Sequence, residues 1–121
     1  MALYKMMEPD FVNEDSRGRL VQVVHEGFSQ INILTSLQNT VRGGHYHKER
    51  TEAFYVISGS VKVDFKRDDE AEERVFNVGD AFLVFPNVTH SMMFPENCIL
   101  LQMYDLPVEY EDGTKDIFSV Q

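Results

Sequence analysis

Short runs of Val, Ile, Phe and Tyr recur along this chain between glycines, and no apolar stripe is sustained at helical period. Such a chain cannot bury its apolar residues as a helical bundle. It must form strands and close them over one another. The pattern predicts strands near Leu20–Val24, Phe28–Leu34, Ala53–Ser58, Val61–Lys66, Arg74–Val78, Ala81–Phe85, Ser91–Phe94 and Ile99–Tyr104. Gly18, Gly27, Gly43–Gly44, Gly59, Gly79 and the pair Pro95–Glu96 punctuate them. Strands spaced in this way predict an all-β sandwich or closed barrel with little helix. The acidic segment Asp68–Glu73 falls between two of the runs and reads as a solvated hairpin loop.

A length of 121 residues is enough for one domain, 1–121, but not for two, and the tail Glu109–Gln121 is too short to fold alone. Nine Phe and five Tyr can fill an interior. The formal net charge of −9 argues against a nucleic-acid surface and against an anionic membrane surface. It leaves room for a local basic spot that holds a phosphorylated small molecule. The single cysteine, Cys98, allows no intramolecular disulfide and no thiolate zinc cluster, and reads as a small buried hydrophobe. The first ten residues lack the apolar core of a signal peptide, and no stretch is long enough to span a bilayer. A cytoplasmic location is therefore expected.

The residues that carry chemistry are concentrated in Gly43-Gly44-His45-Tyr46-His47, followed by Glu52 and Gly59. Residues two apart on a strand share a face, so His45 and His47 present both imidazoles to one side, and Tyr46 points away into packing. Glu52 lies at odd separation from His47, but Lys48–Thr51 reads as a bend that resets the phase. Downstream, Pro86-Asn87-Val88-Thr89-His90 adds a third imidazole after a turn. Singly, each is most simply a strand histidine or a surface carboxylate. Together, three imidazoles and a carboxylate suit one first-row divalent ion, with His45, His47, Glu52 and His90 as ligands.

The spacing of His45-X-His47, Glu52 and Gly59 resembles the first motif of the cupins, and Gly79, Pro86 and His90 resemble the second. Pro86 stands one place late, Asn39 replaces an opening Gly, and Phe94 replaces a closing Asn; none of these is a ligand position. The resemblance runs from about Asp10 to Tyr104. It implies a single-domain cupin, a double-stranded β-helix or jelly-roll barrel, binding one divalent transition ion: zinc, manganese, iron or nickel. Residues 1–19 would then be an N-terminal arm able to form a homodimer.

Two segments resemble sugar-nucleotide cupins more narrowly. Asp15-Ser16-Arg17-Gly18-Arg19-Leu20 is similar to a segment of the metal-free dTDP-4-keto-6-deoxysugar ketoisomerases, although Arg17 reads first as a residue that ties its own turn. Arg42-Gly43-Gly44-His45-Tyr46-His47 with Thr51-Glu52-Ala53-Phe54 resembles the C-terminal zinc cupin of capsule-sugar reductase-epimerases. Ketoisomerases of this kind tend to carry a non-ligating residue at the place of Glu52, so the capsule-sugar type fits the ligand set better. The resemblance implies an isomerase or epimerase of a keto-deoxysugar nucleotide, in which a proton is removed next to a ketone. His45, His47 and Arg42 would be catalytic. Arg42 would contact diphosphate or carbonyl oxygen, and Gln102 and Tyr104, on one face of a predicted strand, would line the substrate pocket. Gln30 and Asn32 share a face of another strand without an assigned role. Two alternatives stay open: an iron or manganese dioxygenase of a small molecule, and a non-catalytic metal- or ligand-binding module.

Overall fold

The computed structural model describes residues 2–120 and contains strands, turns and bends, with no helix among the described residues. Twelve strands follow one another: β1 (Tyr4–Met7), β2 (Phe11–Asp15), β3 (Gly18–Gln22), β4 (Gln30–Ser36), β5 (Val41–Tyr46), β6 (Glu52–Ser58), β7 (Ser60–Arg67), β8 (Glu70–Asn77), β9 (Ala81–Val84), β10 (Thr89–Met93), β11 (Cys98–Tyr104) and β12 (Phe118–Ser119). They build two five-stranded antiparallel sheets, in the orders β1-β9-β6-β11-β4 and β12-β5-β10-β7-β8, and a separate β2–β3 hairpin. Among the described residues no helix is long and apolar enough to cross a membrane.

Alternation along the strands decides what lies between the two sheets. On β4, Gln30, Asn32, Leu34 and Ser36 turn inward while Ile31 and Ile33 stay exposed. One end of the interior is apolar. There Phe54, Phe65, Phe76, Phe82, Val56, Val61 and Val63 are fully buried. Phe76 and Phe82 stack at 3.8 Å between centroids, and Tyr4 stacks on Phe65 at 4.6 Å. The other end, between β4, β11, β5 and β10, carries the polar side chains. Phenylalanine thus closes one end of the barrel and leaves the opposite end for chemistry.

Four strands lie outside the sequence expectation: β1, β2, β5 and β12. The N-terminal arm is not loose at its start, because Tyr4–Met7 pairs with β9 and Leu3 is fully buried. The acidic segment is also more ordered than a loop. Only Asp68 and Asp69 form the turn, and Glu70–Asn77 runs as a strand along β7. Glutamate is a poor strand former, but ladder pairing with β7 overrides that preference. As β8 is a sheet edge, its row of carboxylates also keeps another strand from docking there. The β2–β3 hairpin buries none of its residues.

Gly59 makes the turn from β6 to β7 with φ of 78°, and a Cβ there would lie 2.1 Å from the Asn97 carbonyl oxygen. Gly59→Ala combines a left-handed backbone with a collision against main chain, so it should destabilise the fold by about 2 kcal/mol or more. Chemical denaturation checks this; an unchanged midpoint would show that the turn relaxes freely.

Candidate metal centre

β5 and β10 supply two of the imidazoles through a distorted register. His45 lies opposite His90, but the next inward pair is Arg42 and Met92, because Gly44 is an extra residue in β5. This is a β-bulge, which shifts the facing of every residue on its far side. Both bulge residues are glycines with positive φ, 109° and 75°, and a Cβ on Gly43 would fall 2.7 Å from the His90 carbonyl oxygen. The bulge puts Arg42, three residues before His45, on the same side as His45.

Glu52 opens β6, opposite Tyr104 of β11 and Val84 of β9, and has no exposed surface. The bend at 48–51 restores the phase, and Glu52 meets both His47 and His90. Its Oε1 lies 3.2 Å from His47 Nε2 and 2.7 Å from His90 Nε2. The four candidate ligand atoms of His45, His47, Glu52 and His90 all lie within 4.8 Å of one another. His45 is partly exposed and the other three are buried.

Main-chain carbonyls orient two of the rings. His47 Nδ1 lies 2.6 Å from the Asp116 carbonyl and His90 Nδ1 lies 3.2 Å from the Val88 carbonyl. A carbonyl only accepts, so we assign the proton of each ring to Nδ1, which turns both Nε2 atoms toward Glu52. His90 Nε2 is buried and, for all its closeness to Oε1, has no hydrogen bond of acceptable geometry. An orphaned imidazole nitrogen converging with a carboxylate and two further imidazoles fits a single first-row divalent ion.

The outer oxygen of Glu52 is held separately. Gln102 Nε2 donates to Oε2 at 2.6 Å, and Gln102 Oε1 accepts from Asn32 Nδ2 at 2.9 Å. Tyr104 sets its ring edge against His47 at 5.3 Å between centroids. Of the residues expected to line a pocket, Gln102 and Tyr104 thus border the cluster directly, with Gln102 serving Glu52. Arg42 stands at the rim. Its Nε donates to Ser36 Oγ at 2.8 Å and its Nη2 to the Thr35 carbonyl at 3.2 Å, which ties it to β4.

The charges divide the cluster. Burial, with His90 beside it, lowers His45 to about 4. Burial also opposes the imidazolium of His47, but the Glu52 carboxylate and the Asp116 carbonyl outweigh it and His47 is raised. Burial would raise Glu52, yet the hydrogen bond from His47 and the closeness of the His47 and His90 rings hold it well below the usual carboxylate range. Tyr104 is raised, mainly by burial and then by the charge of Glu52, and keeps its hydroxyl proton.

Neither Asp105 nor Asp116 is marked as part of this site by its sequence context, and Asn32, singled out without a role, holds Gln102. Asp116 is buried, and its carboxylate accepts from the backbone N–H groups of Lys48, Glu49 and Arg50 at 3.0, 2.9 and 2.8 Å. Asp105 Oδ1 accepts from the N–H of Thr51 at 3.0 Å. Neither Asp belongs to a motif, and each acts on residues more than 50 positions away, so no local signal marks them.

Residues 13–98 match the family described as the polysaccharide biosynthesis C-terminal domain. Among curated proteins, a UDP-2-acetamido-2,6-beta-L-arabino-hexul-4-ose reductase from Pseudomonas aeruginosa is 36% identical over 56 residues. That match covers 46% of this chain and spans only 15% of the reductase. Solved structures share the fold. The QdtA 3,4-ketoisomerase from Thermoanaerobacterium thermosaccharolyticum, in complex with TDP, superposes with a TM-score of 0.79 at 24% identity, covering 98% of this chain and 88% of that one. The TDP-quinovose 3,4-ketoisomerase from Campylobacter jejuni gives 0.79 at 17% identity over 96% and 94%. The capsular polysaccharide assembling protein CapF from Staphylococcus aureus gives 0.69 at 19% identity, over 92% of this chain and 34% of that one. With the expected cupin barrel in place and residues 13–98 of the chain matched to the family, this chain belongs to the polysaccharide biosynthesis C-terminal domain family.

Proposed function

We propose that this chain is a metal-dependent cupin that isomerises or epimerises a keto-deoxysugar nucleotide, holding one divalent transition ion on His45, His47, Glu52 and His90. The observation that carries the reading is the convergence of these four side chains at the polar end of the barrel. The relatives favour nucleotide sugars as the substrate class, since two of the solved ones are 3,4-ketoisomerases, one in complex with TDP and one named for TDP-quinovose, and the curated one is named as a UDP-sugar reductase.

A divalent ion at this place would supply Lewis-acid polarisation of a sugar carbonyl or a bound water of lowered pKa. The protein's own residues do the rest. Asn32 and Gln102 fix the Glu52 carboxylate. Arg42, exposed and anchored to β4 through part of its guanidinium, offers its remaining N–H groups to diphosphate or carbonyl oxygen. Tyr104 keeps a donor proton next to the cluster. A homodimer belongs to the same proposal. The β2–β3 hairpin leaves Phe11, Val12 and Leu20 exposed, and a lone hairpin is marginally stable without a surface to rest on.

Elemental analysis of protein purified without added metal should find near-stoichiometric divalent ion, and His47→Ala should lose it. Wild type incubated with a nucleotide-linked 4-keto-6-deoxysugar in deuterated water should incorporate deuterium next to the ketone. An absence of metal from wild type would move the reading to a metal-free ketoisomerase with His45 and His47 as acid and base. Iron with consumption of oxygen would replace it by a dioxygenase.

The affinity for metal should also depend on pH in a definite direction. In the metal-free protein Glu52 raises His47, so His47 carries a proton above its ordinary range, near 6.5, and an incoming ion must displace it. His45, lowered to about 4, holds no proton that competes near neutrality. Zinc affinity measured by chelator competition should therefore rise with pH through neutrality and level off above the raised value of His47. A flat profile from pH of about 6 to about 8 would contradict this account.

A further inference from the structure

The two ligands His47 and Glu52 are joined by the short bend 48–51, and every backbone N–H in that bend is received by a carboxylate from beyond β11. Asp116 takes those of Lys48, Glu49 and Arg50, and Asp105 takes that of Thr51. Side chains strengthen the grip. Tyr110 donates its hydroxyl to Glu49 at 2.8 Å, the Arg50 guanidinium lies over the Tyr110 ring at 4.6 Å, and the Lys48 ammonium lies over the Phe118 ring at 4.3 Å. The Asp116 carbonyl, on the same residue that caps the bend, holds the Nδ1 proton of His47. One residue therefore fixes both the ring orientation of a ligand and the loop that leads from it to the next ligand.

We propose that the segment from Asp105 to Ser119 is a clasp on the metal centre, with Asp116 as its positioning residue, and that docking of the clasp and occupancy of the metal site are thermodynamically coupled. The proposal rests on the metal reading above. The clasp follows the residues matched to the family, which end at 98. Its chemistry is that of an outer-shell partner, which orients an imidazole through the nitrogen that does not face the ion. Coupling of this kind is reciprocal: a clasp that raises metal affinity must itself be held more tightly when metal is bound.

Two arms test it. In the first, zinc affinity is measured by chelator competition for wild type, Asp116→Asn and Asp116→Ala. Both variants should bind about 10- to 100-fold more weakly, and the slowly exchanging Nδ1 proton of His47, visible by NMR in zinc-loaded wild type, should be lost. The second arm needs no variant. Trypsin cleavage of wild type after Lys115, within the clasp, should slow by a factor of the same order when zinc is added. Zinc binding with unchanged affinity in both variants, or cleavage after Lys115 indifferent to zinc, overturns the coupling and leaves the metal reading standing. Failure of wild type to bind zinc, manganese, iron or nickel overturns the metal reading and the coupling with it.

Discussion

Glu52 lies in the barrel interior with no exposed surface, and its pKa is driven down rather than up. A buried carboxylate that stays ionised loses several kcal/mol of hydration, which its surroundings must offset. Here the compensation comes from His47 and His90 on one oxygen and Gln102 on the other. Each of these partners is polar and largely buried, so each needs a partner of its own. His47 finds the Asp116 carbonyl, His90 the Val88 carbonyl, and Gln102 the amide of Asn32. The polar end of the barrel is in this sense one connected network descending from a single charge. Its members come from β4, β6, β10, β11, the residue that follows β5 and the C-terminal segment, so both sheets have to be in place before it is complete.

The register around Gly43 and Gly44 is the second constraint. In an unbroken strand Arg42 would share a face with Tyr46 and point outward. The extra residue at Gly44 reverses that and brings Arg42 over the interior rim, where it bridges β5 to β4 through Ser36 and Thr35. The close approach of Gly43 to the His90 carbonyl is part of the same geometry, because β5 and β10 can carry opposed imidazoles only if the backbones draw together there. The pair of glycines thus acts on both imidazoles and on the candidate phosphate contact.

How much of this is legible from sequence follows from the range of the forces involved. His45, His47 and Glu52 are close in the chain, and strand alternation with one bend suffices to bring them to one face. His90 is reached by its turn and its spacing. The Val-, Ile- and Phe-rich strands announce themselves because their burial is written in composition. β1, β12 and the acidic first half of β8 do not, since they are strands by virtue of what pairs with them: β9, β5 and β7 supply the ladders that Met-, Ser- and Glu-containing segments lack the propensity to start. Asp116 is the extreme case. An acidic residue in a polar tail looks like solvated surface, and only the closed fold reveals that three backbone N–H groups 66 to 68 positions earlier converge on it.

The charge pattern also bears on which chemistry the cluster supports. A general base works best with a pKa near the working pH, and neither Glu52 nor His45 is placed that way in the free protein. Glu52 is held low with both oxygens engaged, so it is a weak base. His47 is raised and has one nitrogen committed to a carbonyl, and its remaining nitrogen faces Glu52 rather than an incoming substrate. His45 alone is partly exposed and neutral at neutral pH, but at about 4 it too is a poor proton acceptor. The features that spoil these groups as bases suit them as ligands: a carboxylate that stays ionised, an imidazole that stays neutral, and rings oriented through their outer nitrogens. Burial, orientation and charge support the metal reading together, and they do so because all three were shaped around the same carboxylate.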